Sequence, residues 1–188
     1  MICVEVRLHS TRVKPGKGLS DAGVELARAA AGTLGGGYSA YYCGPSRRCR
    51  ETLAAMGFPV YEERDAFGGL PKELDRFEPD LAAQQLATGC RYMDGYLMIP
   101  AARAVLQGLG EALVREVRKI AKRLLPGGRA LAISHAETIE VLWMAARAEG
   151  TAGFPGGDLR PLDGVAVDVD DDRIRQVRVV RLPGAQGG

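Results

Sequence analysis

His9 and His135 are the only two imidazoles in 188 residues, and each follows an apolar run. Ile2 to Leu8 leads into His9-Ser10-Thr11, and Leu131-Ala132-Ile133 leads into Ser134-His135-Ala136. Imidazole can be nucleophile, proton carrier or metal ligand near neutral pH. A third polar cluster, Cys43-Gly44-Pro45-Ser46-Arg47-Arg48, follows another short apolar stretch. Ser46 is a natural N-cap, and Arg48 falls in the first turn of the helix it would open. Helix N-termini leave backbone N–H groups unpaired and attract anions. Two imidazoles, a guanidinium and helix ends at Ser46 and just past His135 describe a phosphate pocket. Gly44 and Ala136 let the backbone approach a ligand closely. Arg7 shares the strand face of His9 by two-residue alternation, and Arg12 lies in the loop just beyond. Either can bring a second guanidinium, whereas Arg47 and Arg50 point elsewhere on their helix.

Those clusters need strands that end at one edge. Ile2 to His9 alternates in hydropathy and reads as a strand. A Pro15-Gly16-Lys17-Gly18 loop follows, then a helix from about Asp21 to Leu34 capped by Ser20 and stopped at Gly35-Gly36-Gly37. Ser39 to Cys43 reads as a second strand, 47–56 as a second helix and Phe58 to Glu62 as a third strand. The stretch from about 64 to 98 is irregular, with one helix near 80–88; such an insertion suits a lid or a substrate-selecting loop. Val105, Leu109, Leu113, Val117, Ile120 and Leu124 trace one face of a long helix, which Pro126-Gly127-Gly128 ends. Arg129 to Ser134 is a buried strand and Thr138 to Glu149 a helix. Thr151 to Asp163 is a Gly/Pro-rich loop. Val165 to Val169 and Ile174 to Leu182 form a hairpin through three aspartates. Residues 183–188 are expected to fray. The order predicts an α/β three-layer sandwich, a mainly parallel sheet with helices on both faces. Ligands of such sheets bind beyond the carboxyl ends of the strands.

At 188 residues, a single domain is the simplest expectation. Apolar content of 46% and charged content of 26% suit a soluble globular chain, and a net charge of +2 gives no nucleic-acid surface. No apolar run approaches the ~20 residues of a membrane span. No secretory leader is apparent at the N-terminus. Cys3, Cys43, Cys49 and Cys90 form no C-x-x-C pair and read as reduced thiols of a cytoplasmic protein. A metal site on the two histidines lacks the carboxylate and cysteine spacing metals need, so neither metal nor cofactor is expected.

The motif order resembles the histidine phosphatase, or phosphoglycerate-mutase-like, superfamily. His9 takes the place of the family's nucleophilic histidine. Cys43 to Thr52 is similar to the stretch carrying the family arginine, with Arg48 on that arginine and Thr52 on its threonine. Ser134-His135-Ala136-Glu137-Thr138 stands for the later His-Gly, and Leu19-Ser20-Asp21-Ala22-Gly23 for the first helix start. The resemblance spans about Ile2 to Leu142. Three positions depart from it: Leu8 replaces the arginine before the histidine, Ser10 the glycine after it, and Ala136 the later glycine. The resemblance implies metal-independent phosphomonoester hydrolysis through a phosphohistidine, on a small phosphorylated molecule or a phosphoprotein. It implies catalytic roles for His9, His135 and Arg48, with Glu63 or Asp65 as general acid. Arg7, Ser10, Arg12 and Ala136 are the expected substrate contacts. The alternative is a non-catalytic member that binds a phosphorylated ligand or protein through the same pocket.

Overall fold

The computed structural model describes residues 1–34, 36–147, 154–155 and 157–182. Expectations for Gly35, for 148–153, for Gly156 and for the tail 183–188 lie outside the described residues.

Strands β1 (Ile2–Leu8), β2 (Tyr38–Cys43), β3 (Glu62–Glu63), β4 (Arg129–Ser134), β5 (Gly164–Asp170) and β6 (Arg173–Val180) form one sheet, ordered β3-β2-β4-β1-β5-β6. The pairs β1·β4, β2·β4 and β2·β3 are parallel, while β5 and β6 add an antiparallel edge. The helices are α1 (Asp21–Thr33), α2 (Arg47–Ala55), α3 (Glu78–Thr88), α4 (Tyr92–Met98), α5 (Pro100–Lys122) and α6 (Ala136–Ala146). One face of the sheet presents Val4, Val6, Ala130, Ala132, Val165 and Val167 to a core shared with Leu106, Leu113, Val117, Ile139 and Leu142 of α5 and α6. The other presents Cys43, Leu131 and Ile133 to Ala27, Ala30, Cys49 and Leu53 of α1 and α2. The three-layer α/β architecture read from the sequence is what forms.

Three expectations change. The third strand pairs only at Glu62–Glu63. Upstream of it, Phe58 stacks on Tyr41 with ring centroids 4.2 Å apart, and Val60 stands 83% exposed at the sheet edge. The insertion is mostly helical: turns at Asp65–Phe67 and Lys72–Phe77 lead into α3 and α4. Pro100 sits in the first turn of α5, where a missing N–H costs nothing. The long helix therefore begins earlier than its apolar stripe suggests. The β5–β6 hairpin turns on Asp171 and Asp172, both at positive φ, a conformation aspartate tolerates. Among the described residues no single helix is long and apolar enough to cross a membrane.

Candidate active site

Parallel pairing brings three strand ends together. The His9 N–H donates to Ser134 O at 3.0 Å and the Gly44 N–H to Ile133 O at 2.9 Å, so the segments following β1, β4 and β2 leave the sheet side by side. Ser46 then caps α2, accepting from the Cys49 N–H, and His135 occupies the N-cap position of α6.

The structure brings His9, His135 and Arg48 together. The two imidazole centroids lie 5.4 Å apart, nearly edge to face. Arg48 Nη2 donates to His135 Nδ1 at 3.2 Å, which requires that nitrogen to carry no proton. His135 Nε2 faces Cys49 Sγ at 3.9 Å. His9 Nδ1 donates to the Ser10 carbonyl at 2.7 Å, leaving the Nε2 lone pair uncommitted. Arg48 Nε is buried without a hydrogen-bond partner. Burial, with the charge of Arg48, lowers both imidazoles to about 4; Arg12 adds to this at His9, and His9 itself at His135. The pocket thus offers a neutral, tautomerically fixed imidazole beside a cation with an unsatisfied donor.

Close backbone approaches hold this edge. A Cβ on Gly44 would come within 2.1 Å of Phe67 O, and one on Gly23 within 2.0 Å of Thr11 O. Ser134 Oγ donates to Phe67 O at 2.9 Å and Thr138 Oγ1 to Gly68 O at 2.6 Å. The Asp65–Phe67 turn is therefore clamped to the end of β4 and the start of α6.

Other expected site residues divide. Arg12 is exposed, and its charge is felt at His9. Ala136 opens α6, where helix N–H groups lack intrahelical acceptors. Asp65 is exposed on the clamped turn. Glu63, by contrast, is held at the surface by Arg50 at 3.3 Å. Ser10 is buried with its hydroxyl donating to Gly23 O at 2.7 Å and its N–H to Thr52 Oγ1 at 3.0 Å; it ties the loop to α1 and α2 rather than facing a substrate. Arg7 is not brought to the site. Its Nε and Nη2 donate to Glu5 and its Nη1 to Leu162 O, at 2.8 to 3.0 Å. A carboxylate two residues away on the same strand captures it. Leu8, where the resembling family has arginine, is buried in the apolar core. Sequence reasoning missed Cys49, whose place against His135 depends on the docking of α2 onto β4.

The strand order and the helix layers are those of the phosphoglycerate-mutase-like α/β fold. No protein-family model matches the sequence, and no curated protein does. Solved structures do. Phosphoglycerate mutase from Bacillus anthracis str. Sterne superposes with a TM-score of 0.67, over 95% of this chain and 92% of that one, at 16% identity. A mycobacterial glucosyl-3-phosphoglycerate phosphatase in complex with VO3 gives 0.62 over 95% and 96%, at 16% identity. A phosphoserine phosphatase mutant from Entamoeba histolytica in complex with phosphoserine gives 0.61 over 94% and 96%, at 12% identity. The chain has the fold these proteins share.

Acid should act on the two imidazoles first. Their folded values near 4 lie below the ordinary 6.5, so the stability they contribute is present above about 6.5 and lost as pH falls toward 4. Glu140, raised to about 7, opposes this over part of the same window. His135→Asn, which cannot take up the proton, should show a smaller fall in melting temperature between pH 7 and pH 4.5 than the native chain. Equal falls would show that His135 is not the group resisting protonation.

Proposed function

We propose that the chain is a metal-independent phosphomonoester hydrolase working through a phosphohistidine on His9. One observation carries this: His9 Nδ1 is spent on Ser10 O, which leaves the Nε2 lone pair free on a ring 5.4 Å from that of His135, itself bonded to Arg48. In the first step Nε2 attacks phosphorus in line and the bond to the leaving oxygen breaks. Arg48 and the first N–H groups of α6 hold the equatorial oxygens. Asp65 gives its proton to the departing alkoxide; it suits this role better than Glu63, which Arg50 occupies. In the second step the Asp65 carboxylate takes a proton from water, whose oxygen attacks phosphorus. The P–N bond breaks and the electron pair returns to Nε2. Phosphatases among the fold's relatives support the reading. The substrate class is a small phosphorylated molecule or a phosphoprotein.

A second reading has an observation of its own. Leu8 is part of the core, so β1 sends no guanidinium to the pocket, as a ligand-binding relative without turnover would allow. The test is a screen of phosphomonoesters with trapping of an acid-labile, base-stable phosphoprotein. Turnover with phosphate trapped on His9 supports the hydrolase. Tight binding of phosphate or vanadate with neither turnover nor trapping supports the binder.

Arg12 is the guanidinium left to compensate for Leu8. If it contacts the phosphoryl group, Arg12→Ala should raise KM and lower kcat together. A charged hydrogen bond is worth about 1.5–3 kcal/mol, so kcat/KM should fall about 10- to 150-fold. An unchanged kcat/KM would confine phosphate binding to Arg48 and the helix ends.

A further inference from the structure

The cations around the two histidines are mostly committed elsewhere. Arg7 is spent on Glu5 and Leu162 O, and Leu8 is packed into the core. On α2, Arg47 is paired with Glu51 at 2.6 Å and Arg50 with Glu63 at 3.3 Å. Among the described residues, and apart from the influence of His9 on His135, the charges felt by the two rings are those of Arg48 and, at His9 alone, Arg12. Arg12 is exposed, as are Lys14 and Lys17 further along its loop, so water and salt screen all three. Arg48 is sheltered, with its Nε buried and lacking a hydrogen-bond partner. The carboxylates at this edge are Asp65, exposed on its turn, and Glu137, half-buried in the first turn of α6.

Neither ring adds a charge. Arg48 Nη2 donates to His135 Nδ1 at 3.2 Å, and the proton on Nε2 is left to face Cys49 Sγ at 3.9 Å. Protonating Nδ1 would break the bond to Arg48 and set a second cation beside the first. Burial, with the charge of Arg48, keeps both imidazoles neutral down to about 4, and burial raises the Cys49 thiol so that it stays protonated. The sheltered pocket therefore holds a single positive charge, that of Arg48.

We propose that the pocket selects phosphoryl groups carrying one negative charge: phosphomonoesters in their singly ionised form, and phosphodiesters, which keep that charge at neutral pH. A single charge on the phosphoryl group balances Arg48. A second one is left uncompensated on the side of Glu137, or draws a proton onto His135 at the cost of its bond to Arg48. Either outcome is expensive away from water. Two features of this chain set the preference: Leu8, which brings no charge from β1, and the hydrogen bond that holds His135 neutral. In turnover the preference rests on the hydrolase reading; as a binding preference it does not.

Phenyl phosphate and phenyl sulfate test it, being alike in shape but not in charge. The sulfate is singly charged at every pH used, whereas the phosphate loses its second proton near 6. Calorimetric titration at pH 6 and pH 8 uses His9→Ala, which keeps every charge named above and removes the nucleophile. From half singly charged at pH 6, phenyl phosphate falls to about one part in a hundred at pH 8, so its binding should weaken about 50-fold. Phenyl sulfate should bind equally at both values and more tightly than phenyl phosphate at pH 8. Arg48→Gln should abolish binding of both. If His9→Ala does not fold, the native chain gives the same reading through kcat/KM for phenyl phosphate, or through direct binding where it shows no turnover. Phenyl phosphate affinity that holds or rises toward pH 8, phenyl sulfate affinity that falls with it, or binding that survives in Arg48→Gln overturns the selection. Methyl phenyl phosphate separates the two sources of the charge: binding equal at both pH values admits phosphodiesters, and its exclusion beside bound phenyl sulfate assigns the pocket to singly ionised monoesters. A chain that shows the charge preference without turnover keeps the selection and loses only the catalytic reading.

Discussion

His9→Ala should give a folded protein with phosphomonoester turnover reduced by at least three powers of ten and no trapped phosphohistidine. The nucleophile forms the covalent bond in the first step, and no neighbour can replace it. His135 is the closest candidate, but its Nδ1 accepts from Arg48 and its Nε2 faces Cys49. The fold should survive. His9 follows the last residue of β1, and the hydrogen bond that fixes it comes from its backbone N–H to Ser134 O, which alanine keeps. Vanadate titration separates binding from chemistry. Arg48, the start of α6 and Arg12 remain in the variant, so vanadate should still bind, at reduced affinity. Turnover within tenfold of the native chain would remove His9 from the nucleophile's role. Lost vanadate binding together with a large drop in melting temperature would make His9 structural.

Local signals exposed much of this site in advance. Each of its three backbone segments ends a strand with a polar or small residue, and each is followed by a helix start: Ser20 and Ser46 are true caps, and His135 stands at the N-cap of α6. Alternation and spacing locate such points because they are local. What stayed hidden depends on distant partners. Nothing around Arg7 announces that Tyr38 from β2 and Arg129 from β4 will gather on Glu5. Nor does the sequence of α2 announce that Cys49 will meet His135. The 64–98 segment was legible as an insertion, but its tie to α6 was not, since Arg91 and Glu140 are 49 residues apart. Glu63 and Asp65 were indistinguishable as acids until Arg50 was seen on one of them.

Arg7→Ala should cost about 3–5 kcal/mol of folding stability and leave the chemistry nearly intact, the opposite of what a substrate-binding arginine would do. Arg7 and Glu5 are 5% and 4% exposed, on the α1/α2 side of β1. Burial alone would raise the Glu5 carboxyl; the Arg129 hydrogen bond, the charge and hydrogen bonds of Arg7, and the Tyr38 hydroxyl outweigh it and hold Glu5 ionised below its usual range. Removing Arg7 strips two donors from that carboxylate and leaves the carbonyl of Leu162, a positive-φ residue before β5, without its partner. Arg129, 2.6 Å from the other oxygen of Glu5, keeps part of the compensation, so the loss should sit at the lower end. At about 2–4 °C per kcal/mol for a chain of this size, the melting temperature should fall by roughly 6–12 °C. Combining Arg7→Met with Glu5→Gln should recover much of this, because it removes both members of a buried pair instead of stranding one. The kinetic measurement is made well below the lowered transition. There kcat/KM should stay within a few-fold of native, since the guanidinium is spent inside the fold. A tenfold or larger fall with stability unchanged would instead put Arg7 in the pocket, and the missing arginine at Leu8 would then be replaced from the same strand.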